Sequence, residues 1–481
     1  MMYSILANLS RERRQLEPLH RQIYQRLKEA IIQGTLAPNS RLPSLRGLAS
    51  DLGVARATVE NAYSALIAEG FLQSRGQAGT YVSAQLTKAS ILSATAAKKP
   101  TAAVPATAFY SSESSRPFQL GLPALDMFPR ALWQRLVTRR LRASTAASLS
   151  LPALNGLFEL REAIAHYLHV SRSIVCSPEQ IFICAGYPTA LDMILKTLLQ
   201  PGDAVWHEDP GYPVTSSLLA LSGMQPVPVA VDEQGMDIAA GAAACPNARM
   251  AILTPTHQSP LGVSLSLERR LALLDWANSR SSWIVEDDYD SEFRYHGRPL
   301  PPLKSIDRQN SVLYIGTFSK ALFPALRLAY LVVPDELVTA FEATNRLHVC
   351  ASPPLIQGGV ADFIHQGHFY RHLKRMRVLY RQRREWLAQA LEQQLGDFLE
   401  VVPQAGGIQL LTKLKCALSD IEIAQHAWQQ GLAVQALSHW QTTESVEQGL
   451  LVGFANFTNP EETERAVSHL ATIVRRLAAG Q

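Results

Sequence analysis

Residues 311–334 read SVLYIGTFSKALFPALRLAYLVVP. The apolar run Ser311–Gly316 ends in Gly316-Thr317-Phe318-Ser319-Lys320, and Arg327 follows seven residues after the lysine. A short apolar run closed by glycine and small polar residues predicts a buried strand running out into a loop. A lysine just past such a strand offers a primary amine, Thr317 a hydroxyl and Arg327 a fixed cation. Together these suit a ligand that carries an aldehyde and a phosphate. Taken alone, Lys320 reads as a solvent lysine at a strand end, and Pro324 breaks any simple helical relation between Lys320 and Arg327.

Outward from there, Trp283-Ile284-Val285 is a second apolar strand that delivers Glu286-Asp287-Asp288-Tyr289-Asp290 at its C-terminal end. Ligand sites of α/β sheets lie at such ends. A carboxylate there can pair with the ring nitrogen of pyridoxal phosphate and keep it protonated, and a phenol two residues on can reach the ring hydroxyl. By itself the acidic run fits a metal-binding or merely solvated loop equally well. Upstream, a strand over Ile181–Ala185 leads into Gly186-Tyr187-Pro188. Proline suits a first helical turn, which leaves the amides of Gly186 and Tyr187 to receive a phosphate. Glu208-Asp209-Pro210-Gly211-Tyr212-Pro213 puts an aromatic ring after another buried strand, where Tyr212 can stack on a ligand ring. Either segment alone is an ordinary turn. From residue 117 on, helical patterns alternate with short apolar strands, the sign of an α/β fold with a largely parallel sheet.

The first 84 residues read differently. Leu19, Ile23, Leu27, Ala30 and Ile31 repeat at helical spacing before Gly34. Ser44 is placed to cap a short helix with Leu45, Leu48, Ala49 and Leu52, Gly53 makes a turn, and a third helix carries Val59, Ala62, Tyr63, Leu66 and Ile67 inward. Strands at Phe71–Ser74 and Thr80–Val82 flank the tip Arg75-Gly76-Gln77-Ala78-Gly79. That is the order of a winged helix-turn-helix, an α+β unit. Its third helix would enter the major groove of double-stranded DNA with Arg56 reading guanine, while Arg46, Thr58, Arg75 and Gln77 meet phosphate or the minor groove. Charge agrees: residues 1–84 hold ten Lys/Arg against six Asp/Glu, whereas the remainder carries 35 of each. Residues 85–116, rich in Ala, Ser and Thr, read as a flexible linker, which at that length spans roughly 30 Å.

Two resemblances follow from these motifs. LPSLRGLASDLGVARATVENAYSALIAEGFLQSRGQAGTYV resembles the GntR family of regulators along its length. It departs in Ala55 and Ala57, where Ser or Thr is common, and in Gly76-Gln77, where many relatives have Gln-Gly; both bear on base preference. Residues 117–481 resemble fold-type I aminotransferases. HEDPGYP, PTHQSPLGVSL, WIVEDDYDSEFRY and YIGTFSKALFPALRLAYLVVP resemble the signatures of the MocR subfamily, in which a GntR-type head precedes such a body. The resemblance implies pyridoxal 5'-phosphate as cofactor, with Lys320 as its Schiff-base lysine, Asp287 on the pyridine nitrogen and Tyr289 on the ring hydroxyl. It also implies Arg327 and Thr317 on the phosphate, Tyr212 stacking, and a homodimer. Where aminotransferases have asparagine before the proline, Ser259 stands, with Gln258 or His257 as substitutes. The arginine that clamps a substrate α-carboxylate falls at Leu451, and a second basic position of amino-acid-sensing relatives falls at Val214.

The expectation is therefore a transcription regulator that binds an operator through its head and senses pyridoxal phosphate or a small effector through its body. The alternative is a working aminotransferase with an accessory head. No apolar run approaches the ~20 residues of a membrane span. Met1–Arg14 carries its arginines after its apolar patch, unlike a signal peptide. Cys176, Cys184, Cys245, Cys350 and Cys416 are scattered and without CxxC spacing, which predicts neither disulfides nor a metal site and makes the cytoplasm the default.

Overall fold

The computed structural model describes residue 6 and residues 18–84, 115–146, 150, 153–297, 300–348, 352–443 and 447–480. The chain forms two compact units, Met1–Ala106 and Thr107–Gln481. Nearly all of the linker expected at 85–116 lies outside the described residues.

In the first unit α1 (Leu19–Ile32), α2 (Leu45–Leu52) and α3 (Arg56–Ala68) precede a hairpin of β1 (Leu72–Ser74) and β2 (Thr80–Val82). Ser44 caps α2, its hydroxyl accepting from the Gly47 amide at 3.0 Å, and Gly53 ends the helix at φ +58°. That left-handed conformation suits glycine and turns the chain straight into α3. Ile23, Leu27, Val59, Ala62, Leu66 and Val82 are wholly buried together. Ile67, expected inward, is 38% exposed: α1, α2 and the wing cover the face of α3 that carries Tyr63 and Leu66, and Ile67 falls beside it.

The second unit is built on an eight-stranded sheet in the order β3-β10-β9-β8-β7-β4-β5-β6. The strands are β3 (Ile181–Cys184), β4 (Ala204–Asp209), β5 (Gln225–Asp232), β6 (Gly235–Met236), β7 (Met250–Leu253), β8 (Trp283–Asp288), β9 (Val312–Thr317) and β10 (Ala329–Val332). Strands β5, β4, β7, β8 and β9 are mutually parallel; β10 runs antiparallel to both β9 and β3, so β3 shares the parallel direction. Ile284, Val285, Val312, Leu313 and Ile315 are all fully buried, as expected of parallel strands covered on both faces. The last part of the chain makes a four-stranded antiparallel sheet in the order β11-β12-β14-β13, from β11 (Leu399–Val401), β12 (Gln409–Leu414), β13 (Gln435–Ala436) and β14 (Gly449–Gly453). Among the described residues no helix is long and apolar enough to cross a membrane.

Candidate functional site

The topology gathers the functional candidates along one edge. Chain leaving the C-terminal ends of β3, β4, β7, β8 and β9 emerges there, as does the turn that enters β10. Between this edge and the segment 115–125 lies a cavity of about 480 Å³. Gly186, Tyr187, Tyr212, Asp287, Tyr289, Thr317, Lys320 and Arg327, all named from the sequence, line it.

Partners sort the four carboxylates of Glu286–Asp290. Glu286 is fully buried and accepts from the amides of Leu303 and Lys304 at 2.9 and 2.8 Å. Asp288 pairs with the buried Arg172 of α5 (Phe158–Arg172), α4 being Arg130–Arg142, and accepts from the Tyr314 hydroxyl. Asp290 binds the His257 imidazole at 2.9 Å. Only Asp287, on the opposite face of β8 from Glu286 and Asp288, faces the cavity. Burial pushes its carboxyl well above the usual range, helped by Asp288, Glu208 and Asp290, with Lys320 opposing. A cationic ring nitrogen beside Asp287 would relieve that.

Lys320 donates to the carbonyl of Gly121 at 3.0 Å. Burial lowers its pKa, against the pull of Asp290 and Asp287, which favours the uncharged amine that attacks an aldehyde. A Cβ at residue 121 would stand 2.3 Å from Lys320 Nζ, so the lysine rests in a cradle that only glycine leaves open, at φ +70°. Arg327 sits at φ +47°, and its guanidinium lies against Gly186, where a Cβ would be 3.2 Å from Nη2. Gly186 opens α6 (Tyr187–Leu198), so a guanidinium and free helix amides converge, the combination a phosphate needs. Amine, anion site and acid thus fit pyridoxal phosphate.

The walls hold residues that sequence reading did not reach. Gly121, Leu122 and Gln119 come from the segment before α4, Gln409 and Gln435 from the small sheet, and Trp440 from the turn Leu437–Trp440 that follows β13. Tyr212 lies 5.9 Å, ring to ring, from Trp440. Ser259 lines the cavity and hydrogen-bonds Tyr289, whose phenol burial pushes well above its ordinary value. Gln258 does not substitute for the missing asparagine. Its amide donates to the carbonyls of Pro210 and Ser259, and its oxygen accepts from Leu261. His257 does reach the phenol, at 3.2 Å. Leu451 is fully buried in a cluster with Leu411, Leu437 and Trp440, and Lys320 and Arg327 are the cations among the lining residues.

In the first unit Arg56 begins α3 and is exposed, and Arg46 is exposed on α2; Thr58 is half-buried. Gln77 is exposed in the tip Gly76–Ala78. Arg75 stacks 4.7 Å over Tyr81 and donates to Asn39 at 2.8 Å, so the wing itself fixes this guanidinium.

Residues 19–82 match the family of bacterial regulatory proteins, gntR family, and residues 129–470 match aminotransferase class I and II. The chain is similar to the probable rhizopine catabolism regulatory protein MocR of Rhizobium meliloti, 35% identical over 94% of this chain and 93% of that one. It is 30% identical, over 93% of each chain, to the pyridoxine biosynthesis transcriptional regulator PdxR of Corynebacterium glutamicum. Among solved structures, an archaeal alanine:glyoxylate aminotransferase superposes with a TM-score of 0.69 at 26% identity, over 76% of this chain and 92% of that one. LysN, the alpha-aminoadipate aminotransferase of Thermus thermophilus, does so at 0.68 and 27%, over 76% and 93%. A gntR-type head and an aminotransferase-fold body in one polypeptide define the class. The chain belongs to the MocR subfamily of GntR-type regulators.

Proposed function

We propose that this protein is a cytoplasmic, homodimeric transcription regulator whose head binds an operator and whose body binds pyridoxal 5'-phosphate and senses the cofactor or a small amine. The observation that carries the reading is the convergence of Lys320, Asp287, Tyr289, Thr317, Arg327 and the α6 N-terminus on one cavity. When bound, the cofactor supplies an aldehyde for amines and an electron-withdrawing ring. The protein's residues do the rest. Lys320 offers the amine, Asp287 holds a proton at the ring nitrogen, Tyr289 and Ser259 address the ring oxygen, and Tyr212 covers the ring face. Thr317, Arg327 and the Gly186 and Tyr187 amides take the phosphate.

The walls favour sensing over amino-acid turnover. An α-carboxylate has no cation among the described lining residues beyond Lys320 and Arg327, which the cofactor engages. Burying it unpaired costs several kcal/mol. Carboxamides of Gln409 and Gln435 beside Trp440 suit an uncharged body instead. A ligand moves the heads only through unequal affinity for two conformations. The test is DNA affinity of the cofactor-free protein, of the loaded protein, and of the loaded protein with panels of amino acids and of amines lacking a carboxylate. The expected result is a change on loading, a further change with an amine, and none with amino acids. Conversion of the visible band by an amino acid together with a keto acid would make the protein an aminotransferase.

A further inference from the structure

Beyond His257, away from the main cavity, lies a small chamber of about 10 Å³, the room one water needs. Five of its lining residues carry a buried side-chain polar atom with no hydrogen-bond partner among the described residues: Arg172 Nε, Thr256 Oγ1, His257 Nε2, Ser291 Oγ and Arg294 Nε. Such atoms are rare in folded proteins, and five around one chamber call for one explanation. The two guanidinium N–H groups only donate, so the occupant must accept from them. A single water has four hydrogen bonds, enough to accept from both guanidinium groups and to donate to His257 Nε2 and one hydroxyl, with the second hydroxyl left over.

The other ring nitrogen fits the same arrangement. His257 Nδ1 lies 2.9 and 3.2 Å from the two oxygens of Asp290 and 3.2 Å from the Tyr289 hydroxyl. A carboxylate only accepts, so Nδ1 carries a hydrogen, and a bare Nε2 suits the donor-rich chamber. The Tyr289 oxygen then shares the Nδ1 hydrogen as a second acceptor, and its own hydrogen must point elsewhere, to the side of Ser259 and the cavity that Ser259 lines. Gly407, at φ +86°, lies against the ring; a Cβ there would stand 2.5 Å from His257 Cε1, so the imidazole keeps this place only beside a glycine. The charged groups around the pair are Asp290, Arg172 and Arg294 on the chamber side, and Asp287, Glu208 and Lys320 on the side of the phenol.

We propose that His257 is a positioning residue: with its Nδ1 hydrogen held by Asp290 and its Nε2 tethered to one buried water, it turns the Tyr289 hydroxyl hydrogen into the cofactor cavity. The consequence drawn from this rests on the pyridoxal phosphate reading: Tyr289 becomes an obligate donor to the ring oxygen and stabilises that oxygen's anionic form.

Two measurements on the full-length protein test it. Imidazole nitrogen NMR of the cofactor-free chain, assigned by the resonance lost in His257→Asn, is expected to give the Nδ1-protonated tautomer; the Nε2-protonated form overturns the proposal. In the loaded protein, His257→Leu is expected to raise the midpoint of the visible band's pH titration by about one unit, the size of one charge-assisted hydrogen bond. His257→Asn, whose amide N–H replaces Nδ1–H, is expected to restore most of it. In a Tyr289→Phe background His257→Leu is expected to add nothing, because it acts through the phenol. Additive shifts, or a His257→Leu titration that superimposes on wild type, overturn the proposal. If the wild-type chain gains no visible band with cofactor, the cofactor reading falls and the tautomer alone decides the role of His257.

Discussion

Lys320 and Gly121 sit 199 positions apart in sequence, yet one donates to the other. The expected outcome of Lys320→Ala is complete loss of a cofactor-dependent visible band, with borohydride trapping lost from the peptide that holds residue 320. Gly121→Ala is the sharper experiment. Its Cβ would overlap Nζ, and φ +70° disfavours any side chain, so the lysine must leave its cradle. We expect cofactor affinity to fall at least tenfold with the far-ultraviolet circular dichroism unchanged. Normal loading of Gly121→Ala would show that the cradle is incidental. The pairing of these residues could not be read from the chain, because nothing local to Leu120-Gly121-Leu122 names its partner.

Secondary-structure elements carry three further expectations. At the exposed start of α3, Arg56→Ala is expected to weaken specific operator binding by ~1–3 kcal/mol and relax base preference, as loss of a two-pronged base contact does. Arg46→Ala on α2 is expected to weaken all sequences alike and reduce the salt slope by about 0.9. Titrations against matched and mutated duplexes at several salt concentrations separate the two. At the end of β4, burial raises Glu208 to about 7 while one oxygen accepts from the Thr254 amide and hydroxyl. A carboxyl raised in the folded state binds more protons folded than unfolded. Its effect is therefore a loss of stability as pH climbs from its unfolded value toward 7, level above that. Glu208→Gln keeps an oxygen for both bonds, so the cofactor-free variant should show a smaller drop in unfolding free energy, read from urea titrations, between pH 5 and pH 8, by on the order of 2 kcal/mol. The strands and helices were legible because apolar runs and 3.6-residue spacing are local signals. The division of labour among Glu286, Asp287, Asp288 and Asp290 was only half legible. Alternation along β8 separates Asp287 from its two neighbours in the strand, but Arg172 and His257 arrive from other elements. The expectation for Ile67 failed for a related reason: spacing gives a face, and only the packed neighbours give its width.

At the scale of the molecule, the proposed homodimer would present two heads to two half-sites. Footprinting of the natural operator is expected to show paired or repeated half-sites separated by whole turns of the double helix, and insertion of about half a turn between them is expected to abolish tight binding. The order of domains was legible from charge and motif, whereas the small-sheet wall of the cavity was not, since Gln409, Gln435 and Trp440 belong to no recognisable motif. That wall has a consequence of its own. The cavity is closed by Gly121 near the start of the second unit and Trp440 near its end, so it exists only while the whole unit is intact. An occupant is then a clasp: at a hundred times its dissociation constant it holds the unit together by about 2.7 kcal/mol. When cofactor runs short, the population that opens rises by the same factor, and proteases act on what opens. Supply of the ligand would be written twice, once in how the protein grips DNA and again, more slowly, in how many copies of it survive.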